Sequence, residues 1–249
     1  MKISHSIWEE GYNCSMSFDH FSQHYLKIMH PKLGMVPFEL HDYHRRLLDS
    51  YNTNRFVLVK KFRSAGYLTM SALYGLWQCI FQPQRRVFVL SPSYREAEEV
   101  SELVSRAIHN LPEWMSRMVV KNTKHEKTFA LDSRMDFYTW EACRGRLVTH
   151  LIIDEVAFIK DFDKKWPCVF PTLSTDGKCF ALSTTNGIGN WFEQAWSGAL
   201  QGTNNFKAFE ADYRENPIYK DEGANENMRK MMGEAAWLQE VEGHFLISK

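Results

Sequence analysis

Lys61, Arg63 and Gly66 lie in the stretch VKKFRSAGYLT, residues 59–69, between an apolar run, RFVLV, and a helix-like segment, MSALYGLWQCIF. Strand, glycine turn and helix are the setting in which backbone amides and one lysine cradle a phosphate. The order departs from the usual G-x-x-x-x-G-K-[ST]: Lys61 stands at the first glycine's position and Tyr67 at the lysine's. Gly66 still permits the turn, and a helix opening near Tyr67 still offers its amides. The ammonium of Lys61, on a four-carbon stem, can reach a phosphate from the front of the loop, and Arg63 adds a second cation. Taken alone, the stretch is explained as well by an ordinary basic turn.

A second stretch, THLIIDEVAFI, delivers Asp154 and Glu155 to the end of an apolar run. Paired carboxylates there suit a division of labour: the first holds Mg²⁺ near phosphates, and the second polarises an attacking water as general base. An acidic cap on the following helix is the plainer reading. The position about 90 residues after a candidate phosphate loop favours the chemical one. Ser183, Thr184, Thr185, Asn186 and Gly187 form a hydroxyl and amide cluster at another strand end, suited to sensing a phosphate or orienting water. A plain Asn-Gly turn accounts for the same residues. In SPSYREAEEV, Ser91 or Ser93 reads best as a helix N-cap with Glu96.

The elements that must position these groups alternate. RFVLVK, RRVFVLS, LVTHLIIDE and KCFALST read as strands, and 127–139 as two short strands around a turn. Residues 69–81 and SYREAEEVSELVSRAIHNL read as helices, the latter with Ala97, Val100, Val104 and Ile108 as its apolar stripe. HDYHRRLLDSYN is a further helix with Tyr43, Leu47, Leu48 and Tyr51 on one face; before it, Pro31, Gly34 and Pro37 mark a loop. Such alternation predicts an α/β fold with a mainly parallel central sheet flanked by helices. Ligands in such sheets bind beyond the carboxyl ends of the strands, and every motif above falls there.

Composition bounds the rest. Thirty Lys and Arg balance thirty Asp and Glu, so no overall basic excess points to nucleic acid, although a local groove remains compatible. Cys14, Cys79, Cys143, Cys168 and Cys179 show no C-x-x-C spacing, so reduced thiols are expected rather than a disulfide scaffold or a zinc site. No histidine sits in H-E-x-x-H. No apolar run approaches the 18 or so residues of a membrane span.

Taken in order, the motifs resemble the ATPase domain of the large terminase subunit of tailed bacteriophages, the motor that packages DNA. YLKIMHPKLGMVPFELHDYHRRLL is similar to the segment leading into the adenine-binding motif, and LVKKFRSAGYLT to the family's deviant P-loop. RGRLVTHLIIDEVAFI resembles the Walker-B region, STTNG the coupling motif, and WLQEVEGHFLIS the segment that closes the domain. The resemblance implies a P-loop ATPase using ATP and Mg²⁺. Lys61 becomes the phosphate lysine, and Arg63 and Glu155 the residues acting in hydrolysis. Ser64, Ala65, Gly66, Tyr67, Leu68, Thr69, Tyr43 and His44 become nucleotide-binding positions. Asp154 and Thr69 hold the metal, and residues 183–187 couple hydrolysis to movement.

It also implies an arrangement of a small N-terminal helical subdomain, residues 1–50, packed on an ATPase core, residues 51–249. The implied partners are double-stranded DNA, a portal protein, a small terminase subunit, and a nuclease on a separate chain or domain. Copies would form a ring on the portal, in the host cytoplasm and transiently at the procapsid portal vertex. Two positions depart from the family pattern: Leu68 takes the usual metal-binding hydroxyl position, and His44 replaces a glutamine. No segment for the family's nuclease follows, so no nuclease activity is expected of residues 1–249. Two alternatives remain open: a non-hydrolysing nucleotide-binding assembly module, which Leu68 and Tyr67 favour, and a helicase-like nucleic-acid ATPase.

Overall fold

The computed structural model describes residues 5–30, 32–143 and 145–247. Helices α1 (His5–Met16) and α2 (Phe18–Tyr25), the strands β1 (Lys27–His30) and β2 (Gly34–Pro37), and helix α3 (Asp42–Thr53) come first. There follow β3 (Phe56–Lys60), α4 (Tyr67–Phe81), β4 (Arg86–Leu90), α5 (Tyr94–His109), the single turn α6 (Glu113–Ser116), β5 (Val119–Asn122), β6 (Glu126–Phe129) and β7 (Ser133–Tyr138). The chain continues through β8 (Val148–Ile153), α7 (Phe162–Val169), β9 (Leu173–Ser183), α8 (Trp191–Gln201), β10 (Lys207–Phe209), α9 (Glu222–Met232) and α10 (Glu234–Glu240).

Eight strands form one sheet in the order β10-β3-β9-β8-β4-β7-β6-β5. The six from β10 to β7 run parallel, and β6 and β5 add an antiparallel edge. The mainly parallel α/β sheet expected from the alternation is therefore present. Period-2 side-chain alternation divides each central strand between two cores. Val57, Val59, Ile152, Phe180 and Leu182 face the core under α4 and α5, while Phe56, Leu58, Leu151, Ile153, Cys179 and Ala181 face the one under α7 and α8. This double burial is why these strands read as unbroken apolar runs.

Helix α4 lies flat on the sheet because Gly75 leaves room. A Cβ there would meet Val87 Cγ1 at 3.0 Å and Met135 Cε at 3.2 Å. The stripes read from α3 (Tyr43, Leu47, Leu48, Tyr51) and α5 (Ala97, Val100, Val104, Ile108) are all buried. Ser93, not Ser91, caps α5, accepting from the Glu96 amide at 3.3 Å.

The N-terminal segment differs in detail from a purely helical subdomain. Its 27–37 stretch is a hairpin rather than a loop, with Gly34–Pro37 as one strand; Pro31 lies outside the described residues. Helix α3 runs through residue 50 to Thr53, and Cys14, Phe18, Phe21 and Leu47 join the same apolar cluster as Met70 and Leu73 of α4. Burial against α4 ties this segment to the sheet, since it has no separate core. Cys14, Cys79, Cys168 and Cys179 form no disulfide; the Cys143 side chain lies outside the described set.

Candidate functional site

Sheet register brings the chemistry together. Lys60 pairs with Ser183, and Ile153 with Ala181, so β3, β9 and β8 end side by side with β9 in the middle. The next residues of those strands are Lys61, Thr184 and Asp154. The loop 61–66 then turns into α4 through Ser64, at φ 59°, and Gly66, at φ 75°. Ser64 in this left-handed region carries strain of about 1–3 kcal/mol. At Gly66 a side chain is doubly excluded, because a Cβ would also meet His44 Nε2 at 3.2 Å. No side chain caps α4, so its first-turn amides, at Tyr67, Leu68 and Thr69, lack intrahelical acceptors and carry the positive end of the helix dipole.

The ammonium of Lys61 sits between the carboxylates. Its Nζ donates to Asp154 Oδ1 and to Glu155 Oε1, each at 2.7 Å. Burial pulls the ammonium towards neutrality, but Asp154 and Glu155 outweigh it and hold the lysine above its usual range. Burial pushes the Asp154 carboxyl up, with Lys61 opposing that shift. At 2.7 Å the contact is a buried ion pair. Removing one partner of such a pair costs about 3–5 kcal/mol, because the other charge is left uncompensated.

Lys60, one residue earlier, points the other way. It continues the Phe56 and Leu58 face, with Nζ 4.9 Å from the Trp196 ring centroid and 2.5 Å from Glu210. Strand alternation thus sends the two adjacent lysines to opposite faces, with Lys61, the lysine expected from its place in the loop, at the carboxylates.

Glu155 is held on both oxygens. Its Oε2 accepts from Ser183 Oγ–H and from the Thr184 amide, both at 3.2 Å, while Oε1 takes Lys61. Its backbone is left-handed, at φ 44° and ψ 46°, an uncommon conformation for a non-glycine residue and one that aims the carboxylate back at the loop. Ser183 also accepts from the Ala157 amide, and Asn186 donates to the Ala157 carbonyl at 3.1 Å. Thr185 Oγ1 lies 2.8 Å from the His244 carbonyl and 3.0 Å from that of Gln239. The 183–187 cluster therefore touches Glu155 at one end and the C-terminal segment at the other.

A cavity of about 410 Å³ is lined by Lys61 to Thr69, Glu155 and Thr184. Asp154 lies behind Lys61. Leu68 lines the cavity and packs against the core, and Thr69 is also on the wall. Tyr43 and His44 do not line this cavity. His44 is buried beneath the loop, where Nε2–H donates to the Ala65 carbonyl at 2.7 Å and Nδ1 accepts from the His41 amide at 3.2 Å. Burial pushes His44 down to about 4, so it stays neutral. Tyr67 is equally buried, its ring edge-on to Tyr43, His44, Phe62 and Phe209 and its hydroxyl without a partner among the described residues.

Sequence reading missed the loop's outer clasp. Asn216 Nδ2 donates to the Ser64 carbonyl at 3.0 Å, Tyr219 O–H to that of Arg63 at 2.9 Å, and the Arg63 amide donates to the Glu240 carbonyl at 2.8 Å. The Arg63 side chain is largely exposed, 3.5 Å from the Glu240 carboxylate. ENPIY carries an Asn-Pro turn signal, but nothing local links that turn to residues some 150 positions earlier.

Comparison with known proteins gives a consistent picture. The family model described as terminase large subunit, T4likevirus-type, N-terminal, matches residues 69–248. Among solved structures, the ATPase domain of the Thermus phage P74-26 large terminase has a TM-score of 0.66 at 17% identity, over 84% of this chain and 95% of that one. The HK97 bacteriophage large terminase has a TM-score of 0.73 at 11% identity, over 92% of this chain and 54% of that one. The large terminase of a thermophilic bacteriophage, in complex with ADP, has a TM-score of 0.65 at 14% identity, over 84% of this chain and 54% of that one. This chain thus spans about half the length of the last two. At these identities the likeness is one of fold. The family match begins at Thr69, so the phosphate loop before it stands on its own geometry.

Proposed function

The chain belongs to the T4-like-virus-type large terminase family, matched over residues 69–248, and from that premise we propose that it is an ATP-hydrolysing motor domain that drives viral double-stranded DNA into a procapsid. The observation that carries this reading is Lys61 Nζ seated 2.7 Å from both Asp154 and Glu155, beside the uncapped start of α4. A cation between two carboxylates supports reading this corner as suited to positive charge, and Thr69 lines the adjoining cavity. These donors fit a partly hydrated Mg²⁺. Asp154 and Thr69 would hold it, and it would supply charge neutralisation at the phosphate oxygens.

The chain's own residues do the rest. The amides of Ser64 and residues 66–69 hold the phosphates, while that of Ala65 donates to the Phe62 carbonyl at 3.2 Å, and Lys61 turns from Glu155 towards them. Glu155, released on Oε1 and still held on Oε2 by Ser183 and Thr184, accepts the proton of the attacking water. Its partners change as it does so, and β9 transmits that change to the C-terminal segment through Thr185. Arg63, exposed on the loop, supplies a second cation for charge developing in hydrolysis. His44 and Tyr43 act from beneath the loop, as braces rather than base readers.

The partners that go with this reading are double-stranded DNA, a portal protein, a small terminase subunit and further copies in a ring, at the portal vertex in the host cytoplasm. One observation favours a second reading, a nucleotide-binding assembly module without turnover: Leu68 stands where a metal-binding hydroxyl is usual. Steady-state phosphate release, measured with and without DNA in Mg²⁺, decides. Turnover abolished by Glu155→Gln supports the motor; nucleotide binding with no turnover supports the module.

A further inference from the structure

Remote from the phosphate loop in sequence, Glu10, Cys14 and His20 converge. Glu10 and Cys14 are four residues apart on α1 and so share a face. His20 arrives from α2, whose start is set by Ser17 capping the His20 amide at 3.1 Å. The three donor atoms all lie within 4.8 Å of one another. One carboxylate oxygen, Glu10 Oε1, collects three donors: His20 Nε2 at 2.8 Å, the Tyr25 hydroxyl at 3.0 Å and the Cys14 thiol at 3.6 Å. Trp77 Nε1 donates to the Cys14 carbonyl at 2.7 Å, fixing this turn of α1 against α4.

We propose that Glu10, Cys14 and His20 form a binding site for a borderline-soft divalent transition metal of the Zn²⁺ class. A thiolate, an imidazole and a carboxylate are the ligand types Zn²⁺ takes, and three protein ligands leave a fourth position for water. The thiolate selects against Mg²⁺ and Ca²⁺, so this site does not compete for the metal of the phosphate pocket. The ion takes the place of protons: Cys14 releases its thiol proton, and His20 presents a bare Nε2. Tyr25, donating to Glu10, orients the carboxylate from the outer shell. The absence of C-x-x-C spacing does not bear on such a site, because it uses one cysteine and spans two helices. Its effect is to staple α1 to α2, and through Trp77 to α4.

The test is titration of the chelator-stripped full chain with Co²⁺, followed by competition with Zn²⁺. The expected result is one Co²⁺ per chain with a thiolate-to-cobalt charge-transfer band, displaced by Zn²⁺. The band is lost in Cys14→Ser and kept in Cys168→Ser. His20→Gln and Glu10→Gln weaken Co²⁺ binding at least about tenfold, and Tyr25→Phe by about 10–100-fold. Should Cys14→Ser fail to fold by circular dichroism, the His20 and Glu10 variants, altered at partly exposed side chains, carry the decision. A wild-type chain without the band, a band that survives Cys14→Ser, or wild-type affinity in both His20→Gln and Glu10→Gln overturns the site and leaves a hydrogen-bonded helix staple.

Discussion

Lys61 Nζ lies 2.7 Å from Asp154 Oδ1, across 93 residues of sequence, and the same ammonium reaches Glu155 at 2.7 Å. One ammonium thus bridges two carboxylates, one of which lines the cavity. Under the proposed function, nucleotide and metal would exchange with it, and each group in this corner would then serve two states.

Lys61→Ala is expected to abolish ATP turnover and also to lower folding stability by about 3–5 kcal/mol, since it strands a buried carboxylate. Lys60→Ala removes a contact with Trp196 and Glu210 on the other face and should leave nucleotide affinity near wild type. Nucleotide binding by fluorescence and unfolding by urea measure the two effects separately. Equal loss of nucleotide binding in both variants would refute the assignment of the phosphate lysine.

Glu155→Gln keeps shape and removes the proposed base. Turnover should fall about 10²–10⁴-fold while nucleotide still binds. Single-turnover phosphate release compared with nucleotide binding gives the split; hydrolysis at the wild-type rate would exclude Glu155 as the base.

Ser183→Ala deletes one hydrogen bond to Glu155 and leaves the Ala157 amide without its acceptor. Its expected signature is a fall in kcat with KM little changed, because the 61–69 loop is untouched. A change in KM alone would place Ser183 in ground-state binding instead.

Acid should loosen the support beneath the phosphate loop. His44 is pushed down to about 4 in the folded chain, mainly by burial, against about 6.5 when unfolded. The unfolded state therefore binds the extra proton first, and stability is full above about pH 6.5 and falls as pH drops towards about 4. His150, pushed down to about 3 mainly by burial, acts in the same direction. His44→Gln retains a donor for the Ala65 carbonyl and removes the titration, so its stability should fall less steeply over this window. Urea midpoints taken across it check the slope, and identical slopes in the two proteins would remove His44 from the account.

Tyr67→Phe should leave stability unchanged or raise it. The ring packs among four aromatic side chains, whereas the hydroxyl is buried without a partner among the described residues, and deleting an unsatisfied polar atom relieves its desolvation cost. A thermal midpoint lowered by several degrees would show that the hydroxyl has a partner in solution.

The local pattern of the chain determined a great deal. Unbroken apolar runs ending in KKFRSAG, DE and STTNG specified parallel strands covered on both faces, with the polar motifs at their carboxyl ends. Stripes on α3 and α5 specified which residues are buried. These features are legible because periodicity and end signals act over a few residues, within one element. Tertiary structure decided the rest. Strand alternation and the order β3-β9-β8 seat Lys61, not Lys60, against Asp154 and place Ser183 beside Glu155. Packing put His44 and Tyr67 under the loop, and brought Asn216, Tyr219 and Glu240 back over it. Such contacts join residues whose local sequences carry no trace of one another; they exist only once the sheet is assembled and its burial selects which side chains meet.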